Sequence, residues 1–101
     1  MNYLKLSGVI SSDPIIDITN GSIPVVNVMI VDEFKDHKNF INITAFKENA
    51  TILKSKKPGD EIFIQGHLQQ EKWYSHSLKR NLSKIIIVAD KVDDAVFSES
   101  E

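Results

Sequence analysis

The sequence predicts an all-β domain with one short helix, and three observations lead to this fold class. The chain has 101 residues, which suits one domain with one hydrophobic core. Apolar and polar residues alternate over several short segments separated by turn-forming residues, as in half-buried strands. Only residues 47–57 depart from this pattern, and they are long enough for one small helix.

The first half of the chain predicts two strands and a shorter extended segment. Residues 3–11 alternate and form the first strand. Its inward face carries Leu4, Leu6, Gly8 and Ile10. Residues 15–19 form a short strand, or continue the first one after a bend, and Asn20-Gly21 marks a tight turn. Residues 23–31 are apolar on both faces, which indicates a central strand.

The second half predicts three more strands. They cover residues 40–46, 61–73 and 82–92, and Pro58-Gly59-Asp60 forms the turn before the second of them. Two intervening segments, 32–39 and 74–81, are expected to be polar loops. We assign residues 1–93 to the folded domain and residues 94–101 to a short, acidic, disordered tail.

Five strands with one short helix between the third and fourth match a particular small barrel. In a chain of this size, the five-stranded Greek-key barrel called the OB-fold is the natural candidate. A two-layer α+β sandwich is the alternative, but it would require a longer amphipathic helix than residues 47–57 provide.

The distribution of charge matters more than the formal net charge of −2. The last nine residues carry four acids and no base, so residues 1–92 have a net charge of +2. Between Lys72 and Lys84 there are four basic residues and no acid. By charge alone, this segment is typical of a solvated loop.

Three aromatic residues lie in an unexpected register. In the strand at 40–46, the small aliphatic residues alternate with Phe40, Asn42, Thr44 and Phe46. In the strand at 61–73, the inward face is expected to carry Ile62, Ile64, Gly66 and Leu68. Trp73 therefore falls on the polar face of its strand. These aromatics either form an exposed platform or cover a second small core or a subunit interface.

An exposed aromatic platform with basic residues around it predicts binding of single-stranded nucleic acid, in which bases stack on aromatic faces. The stacking candidates are Phe40, Phe46 and Trp73, with Phe34 and Tyr74 as secondary ones. The phosphate-binding candidates are Lys35, Lys38, Lys47, Lys72, Lys79, Arg80 and Lys84. In an OB-fold, residues 72–81 would form the loop that contributes to this face.

Other classes of function have little support in the sequence. His37, His67 and His76 are scattered without metal-ligand spacing, and no nucleophile motif or glycine-rich phosphate loop occurs. We therefore expect no enzyme, no metal site and no cofactor. The chain lacks cysteine, a signal-like N-terminus and any long apolar run, so we expect a cytoplasmic protein without a membrane segment.

The order of several segments resembles bacterial single-stranded DNA-binding proteins. YLKLSGVISSDP resembles their opening strand, NGSIPVVNVMIV their second strand and NFINITAFKENA their third. KKPGDEIFIQGHLQQEKW is the closest match and ends on Trp73, and IIIVADKV resembles the last strand. The resemblance covers residues 2–92 and implies an OB-fold with stacking roles for Phe40, Phe46 and Trp73.

The resemblance also implies partners and a biological role. It implies single-stranded DNA binding without sequence specificity in replication, recombination or repair, self-association into a homodimer or homotetramer, and contacts with replication or recombination proteins. DDAVFSESE lacks the acidic-hydrophobic tip of the family, so we expect a compact, tail-less form of phage or mobile-element type. The alternatives are a PriB-type primosomal protein that helps restart replication and an oligomeric interaction module that does not bind DNA.

Overall fold

The computed structural model describes residues 1–18 and 21–94, and these form a closed barrel with one helix. Its elements are β1 (Leu4–Ile10), β2 (Ile15–Ile18), β3 (Pro24–Phe34), β4 (His37–Phe46), α1 (Lys47–Lys54), β5 (Glu61–Ser75) and β6 (Arg80–Asp94). Five strands close the barrel in the order β1-β5-β6-β4-β3, and β3 returns to β1. The predicted OB-fold is confirmed.

The short strand β2 lies outside the closed barrel. It pairs with β3 next to the place where β1 pairs, so β1 and β2 follow the same edge of β3 one after the other. This confirms that residues 15–18 continue the first strand after a bend. The strand β3 contacts three neighbours, as expected for a central strand. The predicted turn at Asn20-Gly21 and most of the predicted tail lie outside the described residues.

The core follows the predicted alternation in β1, β4 and the first part of β5, whereas β3, predicted to be apolar on both faces, buries mainly Val26, Val28 and Ile30. The largest fully buried side chains are Ile10, Val26, Val28, Ile30, Ile43, Leu53, Ile62 and Ile64. Because side chains of a strand alternate between faces, each barrel strand places every second residue inside. The helix α1 contributes Ala50 and Leu53 to the same core, and its opposite side stays exposed.

The predicted polar loops at residues 32–39 and 74–81 are too long, because only residues 35–36 and 76–79 form turns and the rest is strand. The strands β3 and β4 continue to a two-residue turn in which Lys35 and Asp36 have φ values of 49° and 65°, the conformation that suits a tight hairpin. The strands β5 and β6 likewise stay paired as far as Ser75 and Arg80. Near their turns, both hairpins carry polar residues on both faces. The apolar–polar alternation that predicts a half-buried strand is therefore absent there.

The prediction that Leu68 lies in the core is also wrong. It keeps the inward register of β5, but at this point the strand has passed the end of the barrel, and Leu68 is 45% exposed. A β-bulge lies just before it, because Gln65 pairs with Lys91 while Gly66 pairs with Ala89. The extra residue of β6 is Asp90, and the bulge bends the pair as it leaves the barrel.

Candidate nucleic-acid interface

A groove crosses the outer face of the sheet, and β2, β3, β4, β5 and β6 all contribute to it. Its aromatic and basic side chains are Phe46 of β4 and Lys84 of β6. The remaining side chains are Asp17, Ile18, Val25, Asn27, Asn42, Thr44, Glu71 and Ile86. The outer faces of β4 and of the β5–β6 hairpin therefore meet in one concave surface, which we call the outer groove.

The three predicted stacking residues lie on this side of the molecule. Phe46 is half-buried in the outer groove, and Phe40 shares its face of β4 and is 62% exposed. Trp73 shares its face of β5 with Glu71, which lines the groove, and it is 44% exposed. The expectation that these aromatics lie outside the core is confirmed.

Phe34 and Tyr74 lie elsewhere. Residues that pair directly across a hairpin share a face, so Tyr74 lies with Asn81 on the face opposite Trp73 and Leu82. In the same way, Phe34 lies with His37 on the face opposite Phe40 and Val31. Both side chains are exposed, but the structure does not bring them together with Phe40, Phe46 and Trp73.

The seven basic candidates divide by position. Lys84 and Arg80 share the Trp73 face of the β5–β6 hairpin, and Lys38 shares the Phe40 face of β4. Lys84 Nζ lies 5.9 Å from the centre of the Trp73 ring, within the range of a cation–π interaction. The remaining four are Lys72 on the opposite hairpin face, Lys35 and Lys79 in the turns, and Lys47 at the start of α1.

The floor of the outer groove is polar, and a hydrogen bond joins two of its side chains. Thr44 is on the outer face of β4 yet buried, because neighbouring strands flank it, and its hydroxyl donates to Asn27 Oδ1 at 2.7 Å. Apart from Phe46 and Lys84, none of the groove residues was predicted from the sequence as a site residue. A usable signal existed for Asn42 and Glu71, since they share a strand face with Phe46 and Trp73 respectively.

His67 is held next to the bulge rather than free in solvent. Its Nδ1 lies 2.8 Å from Asp90 Oδ2, and this hydrogen bond, with the nearby negative charge, raises the pKa of His67 above its ordinary value of 6.5 against a smaller opposing effect of burial. The pair therefore joins β5 to the extra residue of β6.

The hydrogen bond between His67 and Asp90 should make the free energy of unfolding depend on pH. Because the pKa of His67 is raised on folding, its contribution to the free energy of unfolding is complete below 6.5 and is lost as the pH rises through the higher folded pKa. Urea unfolding at several pH values should show this loss in the parent protein but not in Asp90→Asn. A His37→Gln variant, altered at the β3–β4 hairpin, should keep it. An equal pH dependence in Asp90→Asn and the parent would contradict the assignment.

Within the described part of the chain, no group of three or more potential ligands is arranged to hold a metal ion. No helix there has the length and apolar character of a membrane span.

Comparison with known proteins decides the family. The model of the single-strand binding protein family matches residues 1–94, which include every strand and the helix described above. The chain belongs to this family. Its members are DNA-binding proteins rather than enzymes, in agreement with the expectation from the sequence.

Two curated relatives carry the same description. The chain is similar to a single-stranded DNA-binding protein of Mycoplasma pneumoniae, with 32% identity over 99 residues that cover 91% of this chain and 60% of that protein. It is also similar to a single-stranded DNA-binding protein of Aquifex aeolicus, with 26% identity over 102 residues that cover 91% of this chain and 68% of that protein. The chain thus spans about three fifths of the length of the first relative.

Proposed function

We propose that the protein binds single-stranded DNA, largely independently of sequence, along the outer groove. The observation that carries this proposal is the position of Phe40, Phe46 and Trp73 on one outer side of a barrel from the single-strand binding protein family. Every base has an aromatic face, so stacking on such residues tolerates any sequence, and each stacked base contributes about 1–3 kcal/mol.

The basic side chains on the same side support phosphate binding. Lys38 lies on the Phe40 face, while Arg80 and Lys84 lie on the Trp73 face, so cations occur along the same surface as the aromatics. We assign the first role in phosphate binding to these three. We propose that Lys35, Lys47, Lys72 and Lys79, which lie in the two turns, at the start of α1 and on the opposite hairpin face, contact parts of the DNA that extend past the groove.

A second surface supports self-association. Tyr3 and Val9 are exposed near the two ends of β1, and half-buried Phe63 lies on the neighbouring strand β5, opposite Ser7. We propose that this face contacts further copies in a homodimer or homotetramer.

By the family resemblance, the complex protects single strands during replication, recombination or repair in the cytoplasm, with replication or recombination proteins as further partners.

Titration with oligo(dT) tests the proposal directly. Stacking of a base on the only tryptophan should quench its fluorescence strongly, and the logarithm of the affinity should fall linearly with the logarithm of the salt concentration as phosphate contacts release counterions. Duplex DNA of the same length is the control and should bind more weakly. If oligo(dT) neither changes the fluorescence nor alters electrophoretic mobility, the proposal is wrong, and an interaction module without DNA binding is favoured.

A further inference from the structure

The lining of the outer groove contains more negative than positive groups. Asp17 of β2 and Glu71 of β5 lie on its two sides, and Lys84 is the one basic residue among the described residues that line it. Carboxylates near a phosphate raise its energy by Coulomb repulsion. Phosphates should therefore lie toward Lys38 and Arg80, which share the Phe40 and Trp73 faces but do not line the groove, while the bases enter the groove.

Glu71 is directed into this groove without a protein partner. It is half-buried, whereas its neighbours Gln70 and Lys72 are exposed. Lys84 lies directly across from it on β6, but the lysine amine lies over the Trp73 ring instead of forming an ion pair with Glu71. Among residues 1–18 and 21–94, no hydrogen bond or ion pair involves the Glu71 side chain.

Two of the other oxygen acceptors that line the groove already accept a hydrogen bond. Asn27 Oδ1 already accepts from the Thr44 hydroxyl, and Asp17 Oδ1 accepts from the Ile18 backbone N–H at 2.7 Å. Unlike Asp17, Glu71 has no hydrogen bond to either carboxylate oxygen within the described part of the chain, and unlike the amide of Asn42 it carries a negative charge. A carboxylate accepts from the exocyclic amino group of a base, whereas the carbonyl oxygen at the same position of thymine or uracil repels it.

We propose that Glu71 gives the outer groove a preference for bases with an exocyclic amino group, so that cytosine is bound better than thymine or uracil. This inference rests on the proposed binding of single-stranded DNA and adds a base preference to an otherwise sequence-tolerant mode of binding. Glu71 acts by accepting a hydrogen bond from the base next to the one stacked on Trp73.

The test compares oligo(dC) with oligo(dU) of equal length, because these bases have the same ring size and neither carries the thymine methyl group. Dissociation constants are measured at mildly alkaline pH, where cytosine is neutral, for the parent protein, Glu71→Gln and Glu61→Gln. The Glu61→Gln control removes the same charge at the exposed start of β5, outside the outer groove.

We expect the preference for oligo(dC) over oligo(dU) to be about five- to tenfold larger in the parent than in Glu71→Gln, because the amide oxygen of Gln replaces a charge-assisted hydrogen bond with a weaker, neutral one. Oligo(dU) should bind Glu71→Gln at least as tightly as the parent, and Glu61→Gln should keep the parent preference. An unchanged preference in Glu71→Gln, or an equal loss of both ligands, would overturn the proposal. If the parent binds neither oligonucleotide, the proposed DNA binding itself fails.

Discussion

Trp73→Ala is expected to weaken binding of oligo(dT) by about 1–3 kcal/mol, which is the value of one base stacked on an aromatic side chain. The indole is 44% exposed and packs under Lys84 rather than into the core, so its removal should leave the fold intact. Equilibrium binding by fluorescence anisotropy of labelled oligo(dT) gives the affinity, and urea unfolding gives the stability of the same variant.

Tyr74→Ala is the matched control for this prediction. Tyr74 is the next residue, it is similarly exposed, and it lies on the opposite face of the hairpin. We expect its loss to change the affinity much less than the loss of Trp73. The prediction would be wrong if Tyr74→Ala weakened binding more, because the DNA would then follow the other face. Unfolding caused by Trp73→Ala would instead mean that the indole supports the fold.

Gly66→Ala is expected to destabilise the protein by about 3 kcal/mol, the upper end of the usual cost of overpacking. A methyl group at Gly66 would collide with the backbone carbonyl oxygen of Val88, next to the bulge in the β5–β6 pair. A backbone atom cannot rotate away as a side chain can, so the two strands would have to separate. Urea unfolding followed by circular dichroism measures the effect as a lower midpoint.

Gly59→Ala provides the comparison for this effect. Gly59 has a φ of +99°, which disfavours alanine, but a methyl group there would meet no atom within 4 Å. Its cost should be about 1 kcal/mol, from backbone conformation alone. If Gly66→Ala were no less stable than Gly59→Ala, the close approach at the bulge would not limit the fold.

The barrel was predictable because each of its strands has one solvent-exposed face and one face buried in the core. The alternation of Ile41, Ile43 and Ala45 with Phe40 and Phe46 assigns one face of β4 to the core, and burial confirms that assignment. The hairpins were not predictable in this way. Beyond the barrel, both faces of β3–β4 and β5–β6 meet solvent, and backbone hydrogen bonds hold the strands together whatever their side chains.

The residues of the candidate site were predictable only where the alternation along a single strand shows which side chains point away from the core. Register placed Phe40, Phe46 and Trp73 outside the core, but it could not relate the faces of different strands. The pairing across each hairpin separates Tyr74 from Trp73 and Phe34 from Phe40. The order of strands in the sheet also brings Asp17 and Glu71 to the two sides of one groove, although 54 positions separate them along the chain.

By itself, the sequence determined the barrel class, the inward residues of β1, β4 and the first part of β5, and the aromatic character of one outer face. These properties depend on local alternation, which acts over neighbouring residues of one strand. The tertiary structure decided which strand faces form the groove, where the strands leave the core and which charges lie beside Trp73. Those properties depend on strand pairing and on the bulge at Asp90, which join residues distant in the chain, so no local pattern records them.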